Sequence, residues 1–525
     1  MTGLLRSNLI VAAGTALSRL TGFARVAVFA IVIGQSALAD AYNSANQSPN
    51  AIYELLLGGV LSASLVPLFT RHAERNDDDA TSAVATVAVI ALTAITAVSV
   101  VAAPMVFRLF SLDVAAGVNA DDYRNAGTAL ARIFLIQIFF YGLTAIASAL
   151  LQARRRYFAS AWAPVLSNLV IIVSLLFVPS AVRGREPELM DLLTNDRLRM
   201  ILALGTTIGI ATTALAMLPA FRPAGVKLRF KPDFRHPAVG ELVRLSGWTL
   251  GYVAANQVSI VVIQNLADPG SGQLTAYAFA YIFFVLPHGL LAMSIVTTFT
   301  PEMTRSIQRN DRDGFIAQCS TGVRIVALLT LPAAAAMFVL RRSIVGVALQ
   351  HGNFDAADAA LTSRALGGFA LGLVGFSVYL FVLRGFYAHG DGRTPFIINI
   401  VENIFNIVLA FMLYPSFGVL GLAASFAIAY TASSAIALTV MASKVPGFSA
   451  GSVLRDIWKM ALAATVMAEV MWLLGGGVGT NSGVGALFQL TIAGSIGMGT
   501  YVGMLVVLQV PEVQELRSRL GGRFT

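Results

Sequence analysis

The chain has 525 residues, 57% of them hydrophobic and only 12% charged, and its mean hydropathy is +0.75. A soluble domain carries about 25% charged residues, so this balance excludes a water-soluble globular protein and makes lipid the solvent for most of the surface. The net charge of +9 invites a nucleic-acid partner, but the placement of the basic residues gives it another meaning.

Charge-free runs long enough to cross ~30 Å of hydrocarbon follow one another along the chain. They are clear at 80–107, 133–153, 157–182, 200–221, 245–267 and 269–301. The run 403–443 is twice the needed length and breaks at Tyr414-Pro415-Ser416-Phe417-Gly418. The run 470–511 breaks at the glycine-rich stretch 475–484. Less clean spans near 8–33, 41–70, 315–340, 362–383, 394–413 and 456–474 bring the expected number of crossings to about fourteen.

An even number places both termini on one side. With the N-terminus cytoplasmic, twenty-one lysines and arginines fall in cytoplasmic segments and nine in the opposite ones. The basic loop 222–237 and Arg154-Arg155-Arg156 belong to the first set. Excess positive charge marks the cytoplasmic face, so both termini are expected inside, and the basic balance needs no nucleic acid. Arg6 and the uncharged run after it could open a cleaved signal peptide. Arg19 and Arg25 interrupt the region where cleavage would fall, and the segment is read as the first span.

Two stretches repeat at a nearly constant offset. Pro67 to Arg71 matches Pro301 to Arg305, 234 positions on. Arg156-Tyr157-Phe158 followed by Asn168 matches Arg393 to Phe396 followed by Asn406. Internal repeats are a common build for transporters; shared membrane-helix composition is the alternative. The expected architecture is an all-α integral membrane protein: a six-helix lobe at 1–235, a second at 236–450, and two further helices with a cytoplasmic tail at 451–525.

Catalytic motifs are not found. There is no Gly-Lys pair for a phosphate loop, no His-Glu-x-x-His and no Gly-x-Ser-x-Gly. Cys319 is the single cysteine and the five histidines are scattered, so neither a metal site nor a cofactor is expected.

The informative polar residues lie in the first two spans. Asp40, Asn43, Gln47, Asn50 and Glu54 are spaced 3, 4, 3 and 4, which puts them on one helix face. Each charge at mid-bilayer costs about 2.5–3.5 kcal/mol on insertion scales, so the stripe is expected to face a wet cavity, or else to form an interhelix hydrogen-bond seam. Pro49 within it should kink the helix. In the first span Asn8, Thr15, Ser18, Gly22 and Arg25 share a face, with Arg19 next to Ser18. These two arginines need an anionic partner. Asp40 and Glu54 could supply it; so could a substrate phosphate, which a guanidinium binds bidentately; snorkelling to a surface is a third reading. Glu402 and Glu469 are candidate ion or proton sites or bundle pairs, and Pro287-His288-Gly289 reads as a local helix break.

Ser18-Arg19-Leu20-Thr21-Gly22-Phe23-Ala24-Arg25, Ala39-Asp40-Ala41-Tyr42, Pro49-Asn50, Leu286 to Gly289, Pro301-Glu302 and Gly385 to Pro395 together resemble the MurJ (MviN) lipid II flippases, of the superfamily that includes multidrug and polysaccharide exporters. The resemblance runs along the whole chain. It implies fourteen helices in two lobes, alternating access, and outward flipping of an undecaprenyl-pyrophosphate-linked peptidoglycan precursor across the bacterial cytoplasmic membrane, driven by a coupling ion or the membrane potential. It implies cavity roles for Arg19, Arg25, Asp40 and Asn50, and a lipid-tail groove at about 454–511. Ser18, Asn43, Gln47 and Glu54 join the expected substrate-binding set. The chain departs from the family pattern at Tyr53-Glu54, where many members carry an arginine pair, at Gly58, where many carry glutamate, and near Ile282, where an arginine is missing. Export of another polyprenyl-linked precursor or of amphipathic drugs is the alternative function.

Overall fold

A computed structural model describes residues 2–55, 59–75, 77–244, 247–475 and 479–514. Gly58 and the C-terminal basic residues from Arg517 onward lie outside them, as does the Asn8 side chain. Among the described residues there are helices and no strands. The principal helices are α1 (Thr2–Ile33), α2 (Ala37–Tyr53), α3 (Gly59–Glu74), α4 (Asp78–Val101), α5 (Ala120–Phe134), α6 (Gln137–Ala153), α7 (Phe158–Leu175), α8 (Asp196–Leu215) and α9 (Gly247–Leu266). They continue as α10 (Gln273–Pro287), α11 (Met293–Gln308), α12 (Arg312–Val339), α13 (Arg341–Leu349), α14 (Ala356–Ala388), α15 (Arg393–Phe417), α16 (Val419–Lys444), α17 (Ala450–Gly475) and α18 (Gly483–Val507).

Twelve stretches of the described chain are long and apolar enough to cross a bilayer. The two expected spans outside that set, 41–70 and 245–267, each include residues outside the described ones; α2 and α3 flank 56–58, and α9 follows 245–246. The breaks read from glycine and proline fall where expected. α15 stops at Phe417, and Gly418 takes a φ of 56°, a left-handed turn that suits glycine. α17 stops at Gly475 and α18 starts at Gly483. After Pro287 the helix widens into a π-helical turn, His288–Ala292, as a missing amide donor and ring clash allow.

Polar residues at the helix starts satisfy amides that have no partner within the helix. Asp77 caps α4 and Asp311 caps α12. These two stand 234 positions apart, each following a helix with an internal proline, Pro67 or Pro301. The left-handed residues Arg155 and Gly390, after α6 and α14, repeat the pattern at an offset of 235. Both pairs stand at the offset of the sequence repeat.

By compactness the chain forms one unit of 1–275 with 351–354, and another of 276–350 with 355–525. In the first, the loop 351–354 seals the end of α1: the Asn353 amide donates to the Ile31 carbonyl at 2.9 Å and its side chain to Val32 at 2.7 Å. In the second, Gly368, Gly372 and Gly375 of α14 lie against Ala423, Ala427 and Thr431 of α16. A Cβ at Gly372 would sit 2.6 Å from the Ala427 Cα, so the small-residue seam sets how closely these helices approach.

Candidate functional site

The polar stripe of α2 divides into a closed end and an open end. At the closed end Asp40 is fully buried. Its Oδ2 accepts the amides of Gly270, at 2.9 Å, and Gly272, at 2.8 Å. Its Oδ1 accepts the Thr275 amide at 2.9 Å and the Thr275 hydroxyl at 2.6 Å. The carboxylate therefore serves as the cap of α10, at the positive end of that helix. Asn43 joins the same knot, its Nδ2 donating to Thr275 Oγ1 at 3.0 Å. For Asp40 the structure corrects the wet-cavity expectation: it has no accessible surface with which to meet a substrate and belongs to an interhelix seam. Asn43, half-buried, shares that seam.

Further along, Gln47 and Asn50 are half-buried and Glu54 is exposed. Asn50 Nδ2 donates back to the Asn46 carbonyl at 3.2 Å, leaving its Oδ1 as an outward acceptor. On α1, Arg19 is exposed and Arg25 half-buried. Neither has a described carboxylate within 4 Å, so they do not pair with Asp40 or Glu54. Ser18 is turned to structure by its backbone: its carbonyl accepts Asn168 Nδ2 of α7 at 3.2 Å, and the same amide reaches Thr21 Oγ1 at 3.1 Å.

The company Arg25 does keep was not legible in the sequence. Its guanidinium lies within electrostatic range of the hydroxyls of Tyr42 and Tyr141. Tyr42 is buried and shares a 2.6 Å hydrogen bond with Thr206 of α8. Tyr141 of α6 lies with its ring 5.3 Å from that of Tyr53. Gln137 donates to Thr207 Oγ1 at 3.2 Å, which fixes its amide within the first unit. A half-buried guanidinium with no described carboxylate beside it is a setting that accepts an anion, because its charge calls for compensation. Tyr53 stands where the family pattern has arginine, and it supplies an aromatic face in place of a charge. The signal for Tyr141 was a lone phenol in an otherwise apolar run, which no helical spacing singles out.

The lipid II flippase MurJ family model matches residues 29–492 of this chain. The chain belongs to that family. The matched stretch begins four residues beyond Arg25. The chain is similar to a probable lipid II flippase MurJ of Vibrio cholerae, 27% identical over 528 residues that span 97% of this chain and 96% of the relative. A probable lipid II flippase MurJ of Rhizobium meliloti is 25% identical over 458 residues, 87% of this chain and 84% of the relative. Among solved structures, a lipid II flippase MurJ in an inward closed conformation matches with a TM-score of 0.78 at 22% identity, over 95% of this chain and 98% of the other. An inward-facing MATE family multidrug resistance transporter matches with a TM-score of 0.66 at 14% identity, over 83% and 99%. Both structural likenesses concern the fold. Family and apolar helices together make this a multi-pass protein of the bacterial inner membrane.

Proposed function

We propose that this chain flips a lipid-linked peptidoglycan precursor, lipid II, outward across the cytoplasmic membrane by alternating access, as its family membership leads one to expect. The observation that carries the reading to particular residues is Arg25, half-buried with no described carboxylate beside it. A pyrophosphate entering a dry site gives up its hydration and needs fixed positive charge and donors in return. Arg25 and Arg19 supply the charge, and Gln47, Asn50 and Glu54 shape the adjoining polar face. Asp40 and Asn43 hold α2 to the start of α10. The protein works as a transporter, with a coupling ion or the membrane potential as the driving force.

Fourteen crossings result if α2–α3 and α9 span the bilayer along with the twelve apolar stretches. Both termini and the loop 222–237 are then cytoplasmic. The lobes 1–235 and 236–450 and the added segment 451–525 follow the repeat. The test is depletion of the protein in its native cell, then measurement of lipid-linked precursor accessible on the outer leaflet. Loss of outer-leaflet precursor with accumulation inside supports the reading. An unchanged outer-leaflet pool together with loss of drug efflux would replace it with the exporter alternative.

A further inference from the structure

Two cavities adjoin at one end of α12, in the second unit. The first, about 380 Å³, is lined by Arg341, Arg342, Ser343, Asn481, Gln489 and Trp472, among others. The second, about 350 Å³, shares Val339, Trp472 and Gln489 with it and adds Leu340 and Leu473. One is cationic and polar, the other largely apolar, and they share part of their lining.

Arg341 is built into this place, with Arg342 beside it. Arg341 passes over Gly367 of α14, where an added Cβ would lie 3.0 Å from its Cδ. Its guanidinium stands 5.1 Å from the Phe338 ring and donates to the Phe338 carbonyl. Arg342 is the next residue and is exposed. Burial, and then the Arg342 charge beside it, push Arg341 below the ordinary arginine range. Among the described residues no carboxylate lies within 4 Å of either. Two of the other polar side chains are already committed: Ser343 Oγ donates to Gln489 Oε1, and Gln489 Nε2 donates to the Gly475 carbonyl at 2.8 Å. Close packing holds the far wall, since a Cβ on Gly346 would collide with the Asn481 carbonyl at 1.9 Å. A general snorkelling role would need neither the cavity nor this packing. One anchored and one exposed arginine without a described counter-ion, at the open face of a cavity, call for an anion. Trp472, 70% exposed near the end of a helix long enough to cross the bilayer, suits the bilayer interface, where tryptophan concentrates. The adjoining apolar cavity calls for a chain attached to that anion.

We propose that this pocket binds the phosphate of an anionic phospholipid headgroup, with the first carbons of an acyl chain in the apolar cavity beside it. The site lies wholly in the second unit and does not rest on the transport reading. It is a headgroup site: Trp472, Leu473, Asn481 and Gln489 lie within the stretch 454–511 where the family resemblance implies a lipid-tail groove, and the charge that marks the headgroup comes from Arg341 and Arg342, outside that stretch.

The test uses the full chain purified in a maltoside detergent, with binding followed by native mass spectrometry and thermal stability. The probes are phosphatidylglycerol, phosphatidylcholine, undecaprenyl pyrophosphate and inorganic pyrophosphate. Phosphatidylglycerol should bind and raise the melting temperature, phosphatidylcholine should not, and inorganic pyrophosphate should do so only weakly because it lacks the chain. R342Q should weaken phosphatidylglycerol binding about tenfold, the loss of one charge-assisted contact; R341Q/R342Q should abolish it and R341K/R342K should keep part. Should the double variant not fold, R342Q decides alone, because that side chain is exposed. Equal phosphatidylglycerol binding by wild type and R342Q overturns the proposal. So does inorganic pyrophosphate matching phosphatidylglycerol, which would mean a free-anion site. Undecaprenyl pyrophosphate binding in an R342-dependent way, with phosphatidylglycerol inert, overturns the phospholipid assignment.

Discussion

Asp40 Oδ1 accepts both the backbone amide and the hydroxyl of Thr275, at 2.9 and 2.6 Å. The two residues stand 235 positions apart, close to the offset of the internal repeat, so a position in α2 closes on nearly its own counterpart in α10. The bond decides what the acidic end of the stripe is for. All four contacts of the carboxylate go to the start of α10.

Asp40→Asn should therefore destabilise the protein by about 3 kcal/mol, because an amide NH2 would face donors that the carboxylate now satisfies. Thr275→Val, which removes one hydroxyl, should cost about 1 kcal/mol. Thermal unfolding in detergent, read by tryptophan fluorescence, measures both. Equal stability of Asp40→Asn and wild type would refute the cap.

Arg25→Ala should abolish complementation of a flippase-depleted strain at wild-type protein level, and Arg25→Lys should restore part of it, since lysine offers charge without the bidentate fork. The double substitution Arg25→Ala/Asp40→Asn should not recover growth, because the two residues share no ion pair. Growth from the double mutant would assign Arg25 to structure.

Single cysteines along α2 should label with a soluble maleimide in a graded, periodic way. Positions 47, 50 and 54 should react, and 40, 41, 45 and 48 should not, following their burial. Native Cys319 is fully buried and should add little background. A flat profile would remove the open end of the stripe. In the same assay, cysteines in 222–237 should stay unlabelled by an impermeant reagent in intact cells; labelling there would invert the topology.

Asp391, in the turn between α14 and α15, gives a pH prediction. Partial burial works to raise its pKa, but hydrogen bonds from Lys444, at 2.6 Å, and from the Thr394 hydroxyl and amide outweigh this and hold it at about 2. A folded-state value below the unfolded one adds stability at all pH above about 4, and that stability fades as pH falls from about 4 to about 2. The difference in melting temperature between wild type and Asp391→Asn should therefore be full at pH 6 and shrink across that window. A difference independent of pH would mean the pairing contributes nothing through charge.

What the sequence determined by itself is what composition and periodicity encode. Runs of apolar residues fixed the membrane class, and Gly418 and Pro287 marked where helices stop or widen, because backbone geometry at glycine and proline is local. Motif order gave the family. The partners of buried polar groups were another matter. The 3–4 spacing of Asp40, Asn43, Gln47, Asn50 and Glu54 states that they share a face, but not what lies opposite. Only the tertiary structure brought Gly270, Gly272 and Thr275 to Asp40, and Tyr42 and Tyr141 to Arg25. The Asp40 bonds span more than 200 residues of sequence, and a hydrogen bond between distant segments is chosen by packing, which no local pattern records. The same packing set Arg341 across Gly367 and left two arginines at a cavity whose charge the sequence counted only as part of a topological bias.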